Sequence, residues 1–176
     1  EVVNSHTFLE DKQIDLELYS QADIDCLSTN MYFEARSDGY AGMYATSLVV
    51  MNRVSDNRYP NTVCEVVKQG PVRESWKTRD NPTIATEDRV FFPVKNKCQF
   101  SWYCDGKADN MYDEASLNTA KEIAKIILTD FAKNGAVDIT EGSTHYHTIA
   151  INPYWANSRG MMKVTQVGTH VFYKWN

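Results

Sequence analysis

The 176 residues, 43% of them hydrophobic, suffice for a substantial core and read as one folded domain, not as a disordered chain. A net charge of -5, with 18 Lys and Arg scattered along the chain, excludes the concentrated basic footprint of a nucleic-acid binder. No apolar run reaches the roughly 18 residues that cross a bilayer, so no membrane insertion is expected.

Residues 1 to 22 are polar and acidic without a strong period and read as an N-terminal arm, with the folded body running from 23 to 176. Glu1 in place of Met is expected of a processed or shortened product, and no route of export is legible from it. The first long helix starts at Ala22 or Asp23. Its Ile24, Leu27, Met31 and Ala35 recur at the spacing of one buried face. Glu34 lies one turn after Met31 and two after Leu27, on the border of that stripe. A carboxylate there loses hydration, which raises its pKa toward the range of a general acid. Ser37-Asp38-Gly39 breaks the helix, and Asp38 is expected to cap the next one. That second helix carries Tyr40, Met43, Tyr44, Ser47, Leu48, Met51 and Val54 at helical spacing and is expected at the centre of the core. Its Ala41, Gly42 and Ala45 permit close approach of a neighbour.

After a loop at Asn57 to Asn61, Thr62-x-x-Glu65 matches a capping box and predicts a short helix closed by Gly70. Pro71 to Lys97 is polar and interrupted by Pro71, Pro82 and Pro93, with Arg89-Val90-Phe91-Phe92 as its strand-like piece. A loop of that length in a compact domain reads as a binding element. Asp113 to Lys133 predicts a helix with Leu117, Ala120, Ile123, Ala124, Ile127, Leu128 and Phe131 buried, stopped at Asn134-Gly135. Beyond it the period falls to two. Thr144 to Ile151 and Lys163 to Trp175 read as strands, Gly168-Thr169 marks a turn or bulge, and Asn152-Pro153-Tyr154-Trp155 is the connection. The pattern is α+β, mainly α, with a small antiparallel sheet toward the C-terminus.

Four cysteines, Cys26, Cys64, Cys98 and Cys104, allow three full pairings, and their spacing does not choose among them. Cys98 and Cys104 can close a short loop, or either can reach Cys64. Cys26 is expected to pack beside the apolar face as a small side chain. No C-x-x-C pair supports a zinc set.

Glu34 therefore has two readings, a solvated helix residue paired with Arg36 or a lysine, or an acid in a cleft. The segments Gln99-Phe100-Ser101-Trp102-Tyr103 and Tyr154-Trp155 favour the second, because aromatic and amide side chains line sugar-binding clefts by stacking and hydrogen bonding. In His145-Tyr146-His147, strand alternation puts both imidazoles on one face and Tyr146 on the other. With His170 and a carboxylate they could hold zinc. The plainer readings are a polar sheet face or one substrate-contacting histidine.

The run Asn30-Met31-Tyr32-Phe33-Glu34-Ala35-Arg36, Gly42, Val49-Val50-Met51-Asn52-Arg53-Val54, Tyr59 to Val67, Cys98 to Trp102, Cys104-Asp105-Gly106, Thr144 to His147 and Pro153-x-Trp155 resembles the cell-wall hydrolases of the spore cortex-lytic type, found in bacteria and their phages. Where that family commonly has Gly-Glu after the Ala-Arg pair, this chain has Ser37-Asp38. The resemblance implies that residues 23 to 176 form a lysozyme-like catalytic domain, mainly α, that cleaves peptidoglycan glycan strands between N-acetylmuramic acid and N-acetylglucosamine. The implied reaction is that of a lytic transglycosylase, with 1,6-anhydromuramoyl ends, no cofactor and no metal ion. It places the catalytic glutamate on Glu34 and the cleft on Gln99, Phe100, Ser101, His145 and Tyr146. Tyr146 and Ser101 are expected to hydrogen-bond the sugar, and Phe100, Trp102 and Trp155 to stack on it.

The glycan strand is the expected partner, and the site of action is the bacterial wall, reached from the periplasm, by secretion or with a phage particle or lysis system. The alternatives are a hydrolytic muramidase or glucosaminidase using Asp38, Asp105 or Glu141 as a second carboxylate, a zinc-dependent amidase or peptidase built on His145, His147 and His170, and a noncatalytic wall-binding or virion module.

Overall fold

The computed structural model describes residues 19–176. The expected arm at residues 1 to 22 thus lies outside the described residues except for its last four, of which Gln21 and Ala22 already belong to the first helix. That helix, α1 (Gln21–Ala35), begins in a capping box: the Ser20 hydroxyl accepts from Asp23 N and the Asp23 carboxylate accepts from Ser20 N. Ile24, Leu27, Met31 and Ala35 are all buried, as their spacing requires. A short 3₁₀ turn (Arg36–Asp38) and Gly39, at φ 63°, redirect the chain into α2 (Gly39–Val54).

Helix α2 is the centre of the fold. Met43, Ala45, Leu48, Val49, Val50 and Met51 are buried around its whole circumference, so it is covered on every side. The α1 face and the α5 (Glu114–Ala132) stripe Ala120, Ile123, Ala124, Ile127 and Leu128 cover one side of it. Each large aliphatic side chain buried there contributes about 1.5–3 kcal/mol. Tyr40, assigned to the same face by spacing, is instead half exposed and stacks on Tyr44 at the surface. The start of α5 is anchored to α1, because the Tyr32 hydroxyl accepts from Asp113 N (3.1 Å). Asn134, at φ 53°, ends it as expected.

Helix α3 (Val63–Val67) is capped by the Thr62 hydroxyl, which accepts from Glu65 N and donates to the Glu65 carboxylate. Cys64 lies on it and forms a disulfide with Cys26 of α1, correcting the expectation that Cys26 packs as a lone apolar side chain. Its place beside the stripe is right, but α3 brings a second sulfur there. Closing a loop with a separation of 38 residues stabilises the fold by roughly 4 kcal/mol on the chain-entropy account. Cys98 and Cys104 pair with each other.

The polar segment after Gly70 is more ordered than its composition suggests. β1 (Val72–Glu74) pairs antiparallel with β2 (Phe91–Pro93), and the short helix α4 (Trp76–Arg79) and a 3₁₀ turn (Thr86–Asp88) lie between them. The second sheet has the order β3 (His145–Thr148), β5 (His170–Trp175), β4 (Met161–Val167), all antiparallel. Gly168-Thr169 is the β4–β5 turn, whereas the bulge falls between Lys163 and Thr165. Phe172, fully buried, joins Ala45 and Val49 of α2, so the inner face of this sheet is seated on the central helix. The architecture is α+β, mainly α, with small antiparallel sheets, as the sequence pattern implies, and is the lysozyme-like fold that the resemblance implies.

Candidate active site

A cleft of about 390 Å³ opens where the C-terminal end of α1, α2, the 99–101 segment and the β3–β5 sheet meet. Glu34, half-buried, reaches it from α1 just before the helix breaks. The Tyr146 hydroxyl donates to Glu34 Oε2 at 2.9 Å from across the cleft. Among the described residues no partner engages Oε1. Burial raises the Glu34 pKa above its ordinary value, while the Tyr146 hydrogen bond and the nearby His170 and Arg53 charges pull in the opposite direction with smaller weight. The site therefore favours the acid and yet supplies groups that steady the base. Burial and the neighbouring Glu34 keep the Tyr146 phenol far above its ordinary pKa, so it remains a donor.

Two buried groups support this pair. His170, 3% exposed at its side chain, packs edge-on against the Tyr146 ring (centroids 5.1 Å apart), and its Nδ1 lies 2.8 Å from Asp38 Oδ2. The Asp38 carboxylate also accepts from Thr169 N (2.8 Å) and the Thr169 hydroxyl. The expectation that Asp38 caps α2 is thus corrected: it stands at the N-cap position, but its carboxylate turns to three donors on the β4–β5 turn. Two glycines make room for it. A Cβ on Gly42 would sit 2.2 Å from Asp38 Cβ, and one on Gly168, at φ 57°, 2.6 Å from the carboxylate carbon. Burial pushes the Asp38 pKa up, but the bonds from Thr169 and His170 outweigh it and hold the group below its ordinary value.

Arg53, 5% exposed, enters from α2. Its Nε donates to Thr144 O (2.8 Å), its guanidinium lies 5.4 Å from the Phe100 ring centroid, and its Nη1 is buried without a hydrogen-bond partner among the described residues.

Of the residues expected at the site, Glu34, Gln99, Phe100, Ser101, Tyr146 and Trp155 line the cleft, joined by Phe33, Arg53, His147 and His170. Gln99 and Ser101 are exposed and free to meet a ligand. Phe100 is only 3% exposed and packs beneath Tyr146, so it supports the floor and offers no stacking face. Trp102 lies outside the lining: it stacks on Phe33 (4.9 Å) and donates from Nε1 to Asn30 Oδ1 (2.9 Å), which leaves Phe33 as the aromatic at the rim.

His145 also lies outside the lining. It points to the outer face of the sheet, between Trp155 and Trp175, where burial first and then Arg53 and Arg58 lower its pKa to about 4. Alternation along β3 and β5 puts His145 and His147 on that outer face with Trp155 and Tyr173, and His170 on the inner face with Tyr146. The three histidines do not converge, and among the described residues no group of three His, Cys, Asp or Glu side chains is placed to hold a metal ion. Asp38, Asp105 and Glu141, the candidate second carboxylates, are all absent from the lining.

Residues 37–173 match the family described as Cell Wall Hydrolase. The spore cortex-lytic enzyme of Bacillus cereus is 41% identical over 49 residues, 28% of this chain and 19% of that protein. That of Oceanobacillus iheyensis is 39% identical over 49 residues, 28% of this chain and 18% of its own length. The chain thus matches less than a fifth of these relatives. Among solved structures, the catalytic domain of the Bacillus cereus SleB protein superposes with a TM-score of 0.57 at 24% identity, covering 89% of this chain and 92% of that one. The catalytic domain of the germination-specific lytic transglycosylase SleB from Bacillus anthracis gives 0.53 at 23% identity, covering 89% and 97%.

Proposed function

Because this chain belongs to the cell wall hydrolase family, we propose that it cleaves the glycan strands of bacterial peptidoglycan between N-acetylmuramic acid and N-acetylglucosamine, as a lytic transglycosylase with Glu34 as both acid and base. The observation that carries this reading is one carboxylate in the cleft, raised in pKa by burial, with one oxygen held by Tyr146 and, among the described residues, no second acid in the lining. The family match begins three residues after Glu34, so the role of Glu34 rests on this geometry.

A hydrolase of the usual kind needs two carboxylates flanking the bond. An intramolecular transfer needs one. Protonated Glu34 donates from Oε1 to the glycosidic oxygen, and the C1–O bond breaks with positive charge developing on the muramoyl ring. The carboxylate so formed, steadied by the Tyr146 hydroxyl and the Arg53 charge, takes the proton from the muramoyl 6-hydroxyl as that oxygen closes on C1. The product is a 1,6-anhydro end, and Glu34 returns to its acid form. The enzyme acts at the bacterial wall, reached from the periplasm, by secretion or by phage delivery.

Digestion of purified peptidoglycan followed by mass spectrometry tests the reaction. Anhydro ends, one water lighter than reducing ends, are the expected product; reducible ends alone would identify a hydrolase.

Tyr146→Phe removes the hydrogen bond that lowers the Glu34 pKa. The alkaline limb of kcat/KM is therefore expected to move to higher pH, because the acid form persists further. The rate below it should fall roughly tenfold, the worth of one hydrogen bond to a charged group. An unmoved limb would detach Tyr146 from Glu34.

A further inference from the structure

The β1–β2 hairpin and the helix within it are not accounted for by the cleft. Residues 71–97 carry six Lys and Arg against four Asp and Glu, inside a chain of net charge -5. Two of those cations are already paired, Arg89 with Glu74 (2.8 Å) and Arg79 with Asp80 (2.8 Å). Arg73 and Lys77 have no ion-pair partner among the described residues. The strand register sets Arg73 opposite Phe92, and the concavity between β1, β2 and α4, about 510 Å³, is lined by Arg73, Trp76, Lys77 and Phe92. Trp76 is 65% and Phe92 57% exposed, unusual for large apolar rings in an ordered hairpin. Lys77 Nζ lies 5.8 Å from the Trp76 ring centroid. Flat apolar rings flanked by unpaired cations suit a sugar ring that carries a nearby carboxylate.

The hairpin stem is also continuous with the cleft. Gln99 N donates to Gln69 O (2.9 Å), and Gln99 itself lines the cleft. Gly70 packs so closely on Cys98 that a Cβ there would meet Cys98 Cα at 2.9 Å, which seats the stem against the rim.

We propose that this concavity is a second peptidoglycan site: sugar faces of the strand stack on Trp76 and Phe92, and carboxylates of its peptide stems pair with Arg73 and Lys77. It holds a strand whose neighbouring segment lies in the cleft, and so it serves insoluble wall and not short fragments. This rests on the glycan-cleaving reading above.

The test uses the full chain carrying Glu34→Gln, sedimented with purified sacculi so that the wall stays intact. Trp76→Ala with Phe92→Ala, and separately Arg73→Glu with Lys77→Glu, are expected to weaken retention at least about tenfold. Retention of the Glu34→Gln chain with its hairpin unaltered should fall with salt and on sacculi whose carboxylates have been amidated. With Glu34 restored, both double variants should clear insoluble sacculi more slowly while turning over a soluble disaccharide-peptide oligomer at the unaltered rate.

Unchanged retention, or equal retention on amidated sacculi, overturns the proposal. So does concentration-dependent dimerisation abolished by the same changes, or loss of binding confined to phosphatidylglycerol vesicles, since the face would then serve a second copy or a lipid surface. An intact enzyme that releases no fragments at all refutes the catalytic reading, a result distinct from these.

Discussion

Glu34→Gln is expected to abolish clearance of purified peptidoglycan, with a loss of about 10³-fold in the range known for general acids and bases, while circular dichroism and the melting temperature stay at wild-type values. The amide matches the carboxyl in shape, and its carbonyl can still accept from the Tyr146 hydroxyl, so the geometry that holds residue 34 is retained. What is lost is the proton. The wild-type enzyme should lose activity as pH rises through the Glu34 pKa, because the first half of the reaction needs the acid, and burial moves that limb above the ordinary carboxylate value. The Gln variant should show no such limb in any residual rate. Undiminished clearance would place the acid elsewhere.

Asp38→Ala should cost roughly 3 kcal/mol of stability, as leaving buried hydrogen-bond donors without their acceptor does. The substitution strips His170 of its partner and leaves Thr169 N without its acceptor, at a side chain only 5% exposed. The folded carboxyl is held below its ordinary value of 3.8. The stability it contributes is therefore fully present above that value and is lost as pH falls through the lower, folded one. The gap between the urea midpoints of wild type and variant should be constant near neutrality and narrow in acid. A gap that is absent at neutral pH would show that the pair is not formed. Because His170 backs Tyr146, activity should fall as well, even at temperatures where the variant remains folded.

Local pattern was enough to read the long helices and the place of Glu34 at the edge of a buried face. The stripe Ile24, Leu27, Met31 and Ala35 repeats at helical spacing, and Glu34 sits at its edge, so both the buried face and the half-buried carboxylate follow from the period alone. The alternation of His145, Tyr146 and His147 likewise fixed which side chain faces inward. Residues whose roles depend on distant partners were not legible. Asp38 meets Thr169 and His170 across 131 and 132 residues, and its local context was that of a helix cap. Arg53 carries no local signal of burial, since the carbonyl that takes its Nε, Thr144 O, lies 91 residues away. β1 has only three residues, too few to display a period of two. Trp102, expected to stack on the sugar, lies outside the lining because Asn30 offers its indole nitrogen an acceptor inside.

The sheet order carries a consequence for biosynthesis. β5 lies between β3 and β4 yet follows both in the chain. Neither earlier strand has a hydrogen-bonding neighbour in this sheet until β5 has been made. The phenol on β3, which donates to the carboxylate on the first helix, is packed against Phe172 and His170 of that late strand. A nascent chain therefore carries Glu34 long before the sheet that brings Tyr146 to it can form, and the cleft is incomplete until translation has passed His170.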